Sequence, residues 1–366
     1  MATLKSSTFT SLVLPTGPTA NRPGSPTAGM MRHNTTMNLL EFYDGGTWRP
    51  ITGISKGSLG TGGNSISYVG NSSNRTSGGI VHAFTTAGTA TFTPAFTGTV
   101  EVLVVAGGGS GGAHWGGGGG GGGVIYNRAF PVTSGTGYSV TVGAGGTAPS
   151  YPQPGNQGGN SVFSTITSTG GGGGGSWDGQ AGQAGGSGGG GPNTSSPDSR
   201  FRITGYAGIA GQGFPGGSGV RYNQQTDNCH HGGGGGGAGG PGMSGPENAY
   251  DGRTQNGGPG TANDIFGSVL YWGGGGGGTS YHGVSVGQAG GIGGGGGGTV
   301  YHGQPRGPSG QFNGVGGGQA LNDGQASQGT SNAGNAGANT GGGGGGANYN
   351  NTGTSLGGSG IVIVRY

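Results

Sequence analysis

Apolar positions gather in short runs near the start of the chain, between residues 79 and 169, and at the C-terminus. In the middle region IVHAF, ATFTPAF, TVEVLVVA, VIYNRAF, YSVTVGA and SVFSTIT each hold five to eight residues rich in β-branched and aromatic side chains, which predicts strands. Val100 to Ala106 is apolar at nearly every position, the pattern of a central strand covered on both faces. From Gly170 to Ser359 such runs almost vanish, and then the chain ends in GIVIVRY, Gly360 to Tyr366. Exposed, that run would be an aggregation-prone edge. Pairing beside Val100 to Val105 removes the edge.

The expected fold is therefore all-β. Residues 79–169 form a β-sandwich that residues 359–366 complete, and residues 170–358 are an insertion carried by it. Ahead of this body, residues 1–54 read as a small β module. LPTGPTANRPGSP holds four prolines and should be extended, and GMMRHN, LLEFYDGG and TWRPI are three strand-like pieces separated by turn signals. Residues 55–78 read as a linker in which Ile66, Tyr68 and Val69 add a short strand.

Glycine supplies 109 of the 366 residues. Its runs are Gly116–Gly123, Gly170–Gly175, Gly188–Gly191, Gly232–Gly237, Gly273–Gly278, Gly293–Gly298 and Gly341–Gly346, and five of the seven are six residues long. An unconstrained tether has no reason to keep one length. GGGGGGTSYHG and GGGGGGTVYHG also match at a period of 20, as parts of a quasi-repeat do. Glycine can adopt the threefold extended helix of the polyproline II type, rising about 3.1 Å per residue. Unlike proline it keeps its N–H, so such helices can bond to one another side by side. Interhelical bonds contribute about 0.5–1.5 kcal/mol each against an ordering cost of about 1–2 kcal/mol per residue, so only a large, dry array is stable. Aromatic residues at the run boundaries, His114–Trp115, Ser176–Trp177, Tyr271–Trp272, Tyr281–His282, Tyr301–His302 and Tyr349, are placed to seal its ends. Collagen is excluded because glycine does not recur strictly at every third residue.

Composition supports order without a conventional core. Hydrophobic residues are 28% and charged residues 6%, yet 13 Tyr, 11 Phe and 4 Trp remain, whereas disordered chains combine high charge with few aromatics. The net charge of +3 comes with no Lys/Arg run, so nucleic-acid binding is not expected. One cysteine, Cys229, allows no internal disulfide. No apolar span of 18 residues and no signal-peptide pattern occurs, which predicts a soluble, cytosolically made protein without membrane insertion.

Catalytic chemistry finds little purchase. GxGxxG matches are inevitable at this glycine density and no P-loop occurs. Cys229-His230-His231 lacks a further ligand at metal spacing. Acidic residues stand singly, at Asp178, Asp198, Glu247, Asp251 and Asp264, unlike a glycosidase pair. No enzyme, cofactor or metal is expected. The segments 192–215, 220–231 and 246–258 instead mix aromatic, Arg and amide residues, which suit polar recognition on a rigid scaffold. Their candidates are Arg200, Phe201, Arg202, Tyr206, Arg221, Tyr222, Asn223, Asp227, Tyr250, Asp251 and Arg253.

Two stretches resemble known families. Leu14 to Ile51 is similar to a small module of tailed-bacteriophage fibre and other virion proteins, patterned as LPxGxTxxRP, GMxRYNxT and an acidic-aromatic hairpin ending in Trp. Arg22, Pro23, Gly29, Met30, Arg32, Asn34, Thr36, Glu41, Tyr43, Gly45 and Trp48 fit it, and His33 replaces the usual tyrosine. Ile80 to Tyr366 resembles the glycine-rich domains of phage structural proteins, which open with FxxxGTxTFTxxFTGxVxVLVVAGGGxGG and close with GGSGIVIIRY. Its interior is similar in kind to distal adhesins of some T-even-type phages, which stack polyglycine helices and bind host receptors through the loops between them. These resemblances imply a virion protein made in the host cytoplasm, with tail, fibre or capsid proteins as neighbours and assembly as a homotrimer. They imply attachment through Arg22, Pro23, Met30, Arg32, Asn34, Tyr43 and Trp48. The ligand of the loops would be a host-surface glycan or outer-membrane protein. The alternative roles are a capsid decoration or collar protein without a receptor, and an ice-binding protein, which would need a flat Thr- or Ala-bearing face.

Overall fold

The computed structural model describes residues 14–37, 39–50, 60–69, 79–193, 200–224, 227–245, 254–281, 288–301, 314–328, 332–348 and 355–366. Among them there is no α-helix, only one 3-10 turn at Thr19–Asn21. The chain forms two compact units, Met1–Leu59 and Gly60–Tyr366.

In the first unit β1 (Thr16–Gly17) runs parallel to β2 (Met31–Asn34), which continues as an antiparallel meander through β3 (Leu39–Tyr43) and β4 (Trp48–Pro50). The β3–β4 turn is closed by Asp44, whose Oδ1 accepts from the N–H groups of Gly46 (2.9 Å) and Thr47 (2.7 Å), with Gly45 at a φ of 103° that favours glycine. The proline-rich arm, expected to be extended, pairs only at Thr16–Gly17, makes the 3-10 turn at Thr19–Asn21 and bends at Arg22 and Gly24–Ser25.

The second unit begins with β5 (Ser65–Val69), β6 (Gly79–Phe84), β7 (Gly88–Phe92), β8 (Gly98–Val105), β9 (Val124–Val132), β10 (Tyr138–Val142), β11 (Ser161–Phe163) and β12 (Ile166–Ser168). The glycine-rich stretch then carries β13 (Arg200–Ile203), β14 (Gly219–Gln224), β15 (Asp227–His231), β16 (Thr261–Asn263), β17 (Leu270–Trp272), β18 (Ser280–Tyr281) and β19 (Val300–Tyr301), before β20 (Ile361–Arg365). Three expectations need correction here. SVFSTIT is a hairpin of two strands, because Ser164 turns the chain at a φ of 51°. The short strand expected at Ile66, Tyr68 and Val69 is present as Ser65–Val69, but it belongs to the body as the edge strand paired to β6 rather than to a linker. Residues 170–358 are not almost free of strands, although those they carry are short.

β20 inserts between β6 and β8, in register from Ile361 opposite Val105 to Arg365 opposite Glu101. The sheet β5-β6-β20-β8-β9 shares one core with the sheet β12-β11-β10-β7, through Phe84, Val102, Val104, Val362 and Val364 on one side and Phe92, Val140 and Phe163 on the other. Its opposite face packs Val81, Leu103, Val105, Ile361 and Ile363 against Ile265 and Trp272 of the β16–β17 hairpin. Both faces of the central strands are thus dry, which is why β8 and β20 are apolar without alternation.

The glycine runs form a laterally bonded array. From Gly117 onward, successive N–H groups of Gly116–Gly123 donate in rotation to three neighbours: Gly175, Gly172 and Thr169; Gly233 and Gly236; Gly344 and Gly341, all at 2.7–2.9 Å. Three further neighbours donate back, from Gly112, Gly109 and Ala106, from Gly190 and Ser187, and from Gly276. A period of three with six bonded neighbours is hexagonal packing of threefold polyglycine helices. A methyl group at Gly118 or Gly120 would strike the carbonyl of Gly276 or Ser187, so only glycine fits. The helix at the centre of this arrangement lies between β8 and β9. Residues 107–123, 143–146 and 155–159 also bond into the array, so a bundle starting at residue 170 is too narrow a boundary. β8, β9, β10, β12 and β20 each adjoin a segment bonded into the array.

Candidate functional site

The array has two chemically different ends. At one end lie the sheets and the turns around Gly211, Gly267 and Gln319, the last bonded through its carbonyl to Tyr271. At the other, His114 and Trp115 reverse the chain between the antiparallel helices 106–112 and 116–123, both in the left-handed region at φ of 58° and 51°. Gly175, Thr279 and Ala347 reach that same level, since Gly117 donates to Gly175, Thr279 Oγ1 donates to Gly116 (3.0 Å), and Gly116 donates to Ala347. Asn193, Gly245, Ser280, Val300 and Asn348 are bonded or paired at this end as well. The described segments ending at Asn193, Gly245, Tyr281, Tyr301 and Asn348 thus end at this level of the array.

Aromatic rings cover this end. His114 is buried with its centroid 4.6 Å from Trp115, 4.9 Å from Tyr151 and 5.2 Å from Trp177. Trp115 stacks on His230 at 4.9 Å and 8°, and meets Trp177 edge-on at 4.6 Å. Ser176 Oγ donates to the carbonyls of Ala113 and Pro152, the latter at 2.6 Å, which fixes the turn bearing Trp177. Burial pushes the His114 pKa below its ordinary value, so the ring is neutral among its aromatic neighbours. Trp115 and Trp177 are half-buried and Tyr151 is 40% exposed, which leaves ring surface open to solvent. His114, Trp115 and Trp177 were expected to seal the array, whereas Tyr151 was not, and their convergence from four separate segments was not visible in the sequence.

The loop candidates divide. Arg200, Phe201, Arg202, Arg221, Tyr222, Asn223 and Asp227 fall on the β13–β14–β15 meander, with Arg200 opposite Tyr222, Phe201 opposite Arg221, and Arg221 opposite His230. His230 joins that meander to the aromatic cluster. Arg202 is exposed and reaches the Gly245 carbonyl at 3.4 Å. Tyr206 is separate from these: it lies on the helix beside Gly189, its N–H donating to that carbonyl, and its hydroxyl is held up in pKa by burial while accepting from the Gly182 N–H. Tyr250, Asp251 and Arg253 lie outside the described residues. His231 Nδ1 lies 3.0 Å from Ser280 Oγ. No cluster of three or more metal-binding side chains occurs among the described residues.

In the first unit the predicted attachment residues fall into two groups around Glu41, which is fully buried. Arg22 pairs with it through two bonds, 3.2 and 2.5 Å, Asn34 donates to both its oxygens at 3.2 Å, and Arg32 Nε stands 3.5 Å away. The Arg22 hydrogen bonds hold the Glu41 carboxyl below its ordinary pKa despite burial. Arg32 Nη2 also donates to the carbonyls of Gly17 (2.5 Å) and Pro18 (3.0 Å), tying the proline-rich arm to the sheet. Arg22, Arg32 and Asn34 thus build the unit from inside. Pro23, Met30, Met31, Arg32 and Trp48 line a groove of about 180 Å³ at its surface, with the Arg32 guanidinium 6.0 Å from the Trp48 ring and the Tyr43 ring 5.6 Å from it.

A family model described as a glycine-rich domain matches residues 84–317. A search of curated proteins returns no match.

Proposed function

The chain belongs to the glycine-rich domain family, and from that footing we propose that it is a fibre-like structural protein of a tailed-bacteriophage particle that contacts the host through the aromatic-bearing end of its polyglycine array. The observation that carries this reading is the segregation of the two ends. Turns and sheets occupy one, while partly exposed Trp115, Trp177 and Tyr151 gather at the other. A dry lattice of glycine helices is stiff, because every move breaks bonds to several neighbours at once. Stiffness suits presentation: residues held on it lose little further entropy on binding. Aromatic faces flanked by Arg and amide groups match a sugar ring or a polar protein loop. In this reading residues 1–54 join the particle, neighbouring virion proteins are the partners, and the assembled form is a homotrimer.

The test uses purified full-length protein on bacteria that the phage infects. Saturable binding that blocks infection is expected. Absence of binding, together with normal incorporation into particles, would leave a capsid decoration as the role.

A further inference from the structure

The first unit holds an imbalance of charge that its own residues do not resolve. Residues 14–50 contain three arginines and two acids. Asp44 is engaged by Arg49, so Glu41 alone faces both Arg22 and Arg32. Arg32 is 4% exposed, and while its Nη2 and Nε are engaged, its Nη1 is buried with no hydrogen-bond partner. A buried guanidinium donor without an acceptor is costly. Segments 1–13 and 51–59, which flank the unit's described part, contain no Asp or Glu. No acidic residue of this unit is left to pair with Arg32 Nη1.

Arg32 also lines the groove, whose walls are Met30, Met31, Pro23 and Trp48, with Met30 42% and Met31 39% exposed. At about 180 Å³ the space is smaller than the roughly 300–1,000 Å³ of cofactor and drug sites. It suits one aliphatic side chain and one carboxylate. Flexible methionines adapt to such an occupant, and a guanidinium recognises a carboxylate by paired, charge-assisted bonds.

We propose that this groove docks an extended segment of another virion polypeptide, in which an aliphatic residue sits between Met30, Met31 and Trp48 and a neighbouring acidic residue pairs with Arg32. The inference rests on the reading of residues 1–54 as the attachment module and adds the chemistry of what they attach to.

Fluorescence polarisation of the full-length protein against labelled decapeptides carrying Leu-Asp or Leu-Glu, each with an Asn or Gln twin, tests it. The acidic peptides should bind about tenfold or more tightly than their amide twins, with the preference shrinking as salt rises. Met30→Glu should abolish the preference by placing a like charge at the groove, while Met37→Glu, exposed in the same unit but away from the groove, should leave it intact. Equal binding of the twins, or no binding by any peptide, overturns the proposal. The parent reading is scored separately by deleting residues 1–54 and measuring incorporation into particles. Incorporation without those residues would sink the attachment role whatever the peptides do.

Discussion

His82 and Tyr366, 284 residues apart in sequence, are joined ring to ring and atom to atom. Their centroids are 5.6 Å apart at 24°, and Tyr366 Oη lies 3.0 Å from His82 Nε2. His82 Nδ1 is 2.7 Å from the Gly62 carbonyl, so Nδ1 carries the proton and Nε2 accepts from the tyrosine, whose oxygen in turn accepts from the Gly60 N–H at 3.1 Å. This relay ties residues 60–63 to β6 and β20. It closes only when the imidazole is neutral.

The relay predicts acid sensitivity. Burial lowers the pKa of both His82 and His114. The unfolded chain therefore takes up protons first, and stability is lost as pH falls below the ordinary histidine value, by at most about 1.4 kcal/mol per pH unit for each ring. Above neutral pH neither contributes. Tyr366→Phe should cost about 1–3 kcal/mol by leaving His82 Nε2 and the Gly60 N–H unpaired. Thermal melts of both proteins between pH 5 and pH 8 (about three units across the histidine range) check this, and a flat wild-type profile would refute it.

The central helix predicts a steep cost for one methyl group. Gly120→Ala drives Cβ into the Ser187 carbonyl, whereas Gly318→Ala meets nothing nearer than 3.8 Å. The first should destabilise at or above the upper end of the about 1–3 kcal/mol typical of overpacking, while the second should stay within about 1 kcal/mol. Chemical denaturation separates them. By hydrogen exchange the amides of Gly117–Gly123 should be among the slowest in the protein. Rapid exchange there would mean the lateral bonds do not persist.

Where the sequence was legible, one physical pattern dominated locally. β8 and β20 announce their double burial because Val102–Val105 and Ile361–Val364 hold no polar residue, and six-residue glycine runs announce a repeated span. The boundary at residue 170 misled because strand and polyglycine helix alternate within each traverse. Val105 ends a strand and Gly107 is already in the array, a change that needs no turn signal. Ile265 and Trp272 escaped notice as core residues because the surface they cover is made by strands far away in sequence, β6, β8 and β20. Tyr206 looked like a loop residue from its neighbours Arg202 and Thr204, yet the helix 204–209 packs it against Gly182 and Gly189. The unit around Glu41 was visible as a motif, but its division into an inner ion network and an outer groove follows only from the fold.

That inner network predicts a second acid transition of opposite origin. Glu41 is depressed in pKa by Arg22, so it contributes stability above the ordinary glutamate value that is lost as pH falls through the folded one. Glu41→Gln should cost about 3–5 kcal/mol, since it leaves two guanidiniums without their carboxylate. Limited proteolysis of residues 1–59 should accelerate in the variant at neutral pH and in the wild type only below the carboxylate range. Resistance of the Gln variant at neutral pH would show that the network does not hold this unit.

The aromatic end yields the prediction closest to function. Trp177 lies just past Gly175, the last residue of its helix bonded into the central run, so its ring contributes to the surface of the array more than to its lattice. Trp177→Ala should therefore cost less than the about 3–5 kcal/mol of a core tryptophan. Central aromatic anchors nevertheless carry much of the energy at recognition surfaces, so binding to infected-strain cells should weaken about tenfold or more. Leu321→Ala, exposed near the turn at the opposite end, should bind as the wild type does. Flow cytometry with labelled protein reads both. Equal binding by the Trp177 variant, with its melting temperature little changed, would remove the aromatic cluster from the contact, because lost packing and lost recognition would then have been measured apart.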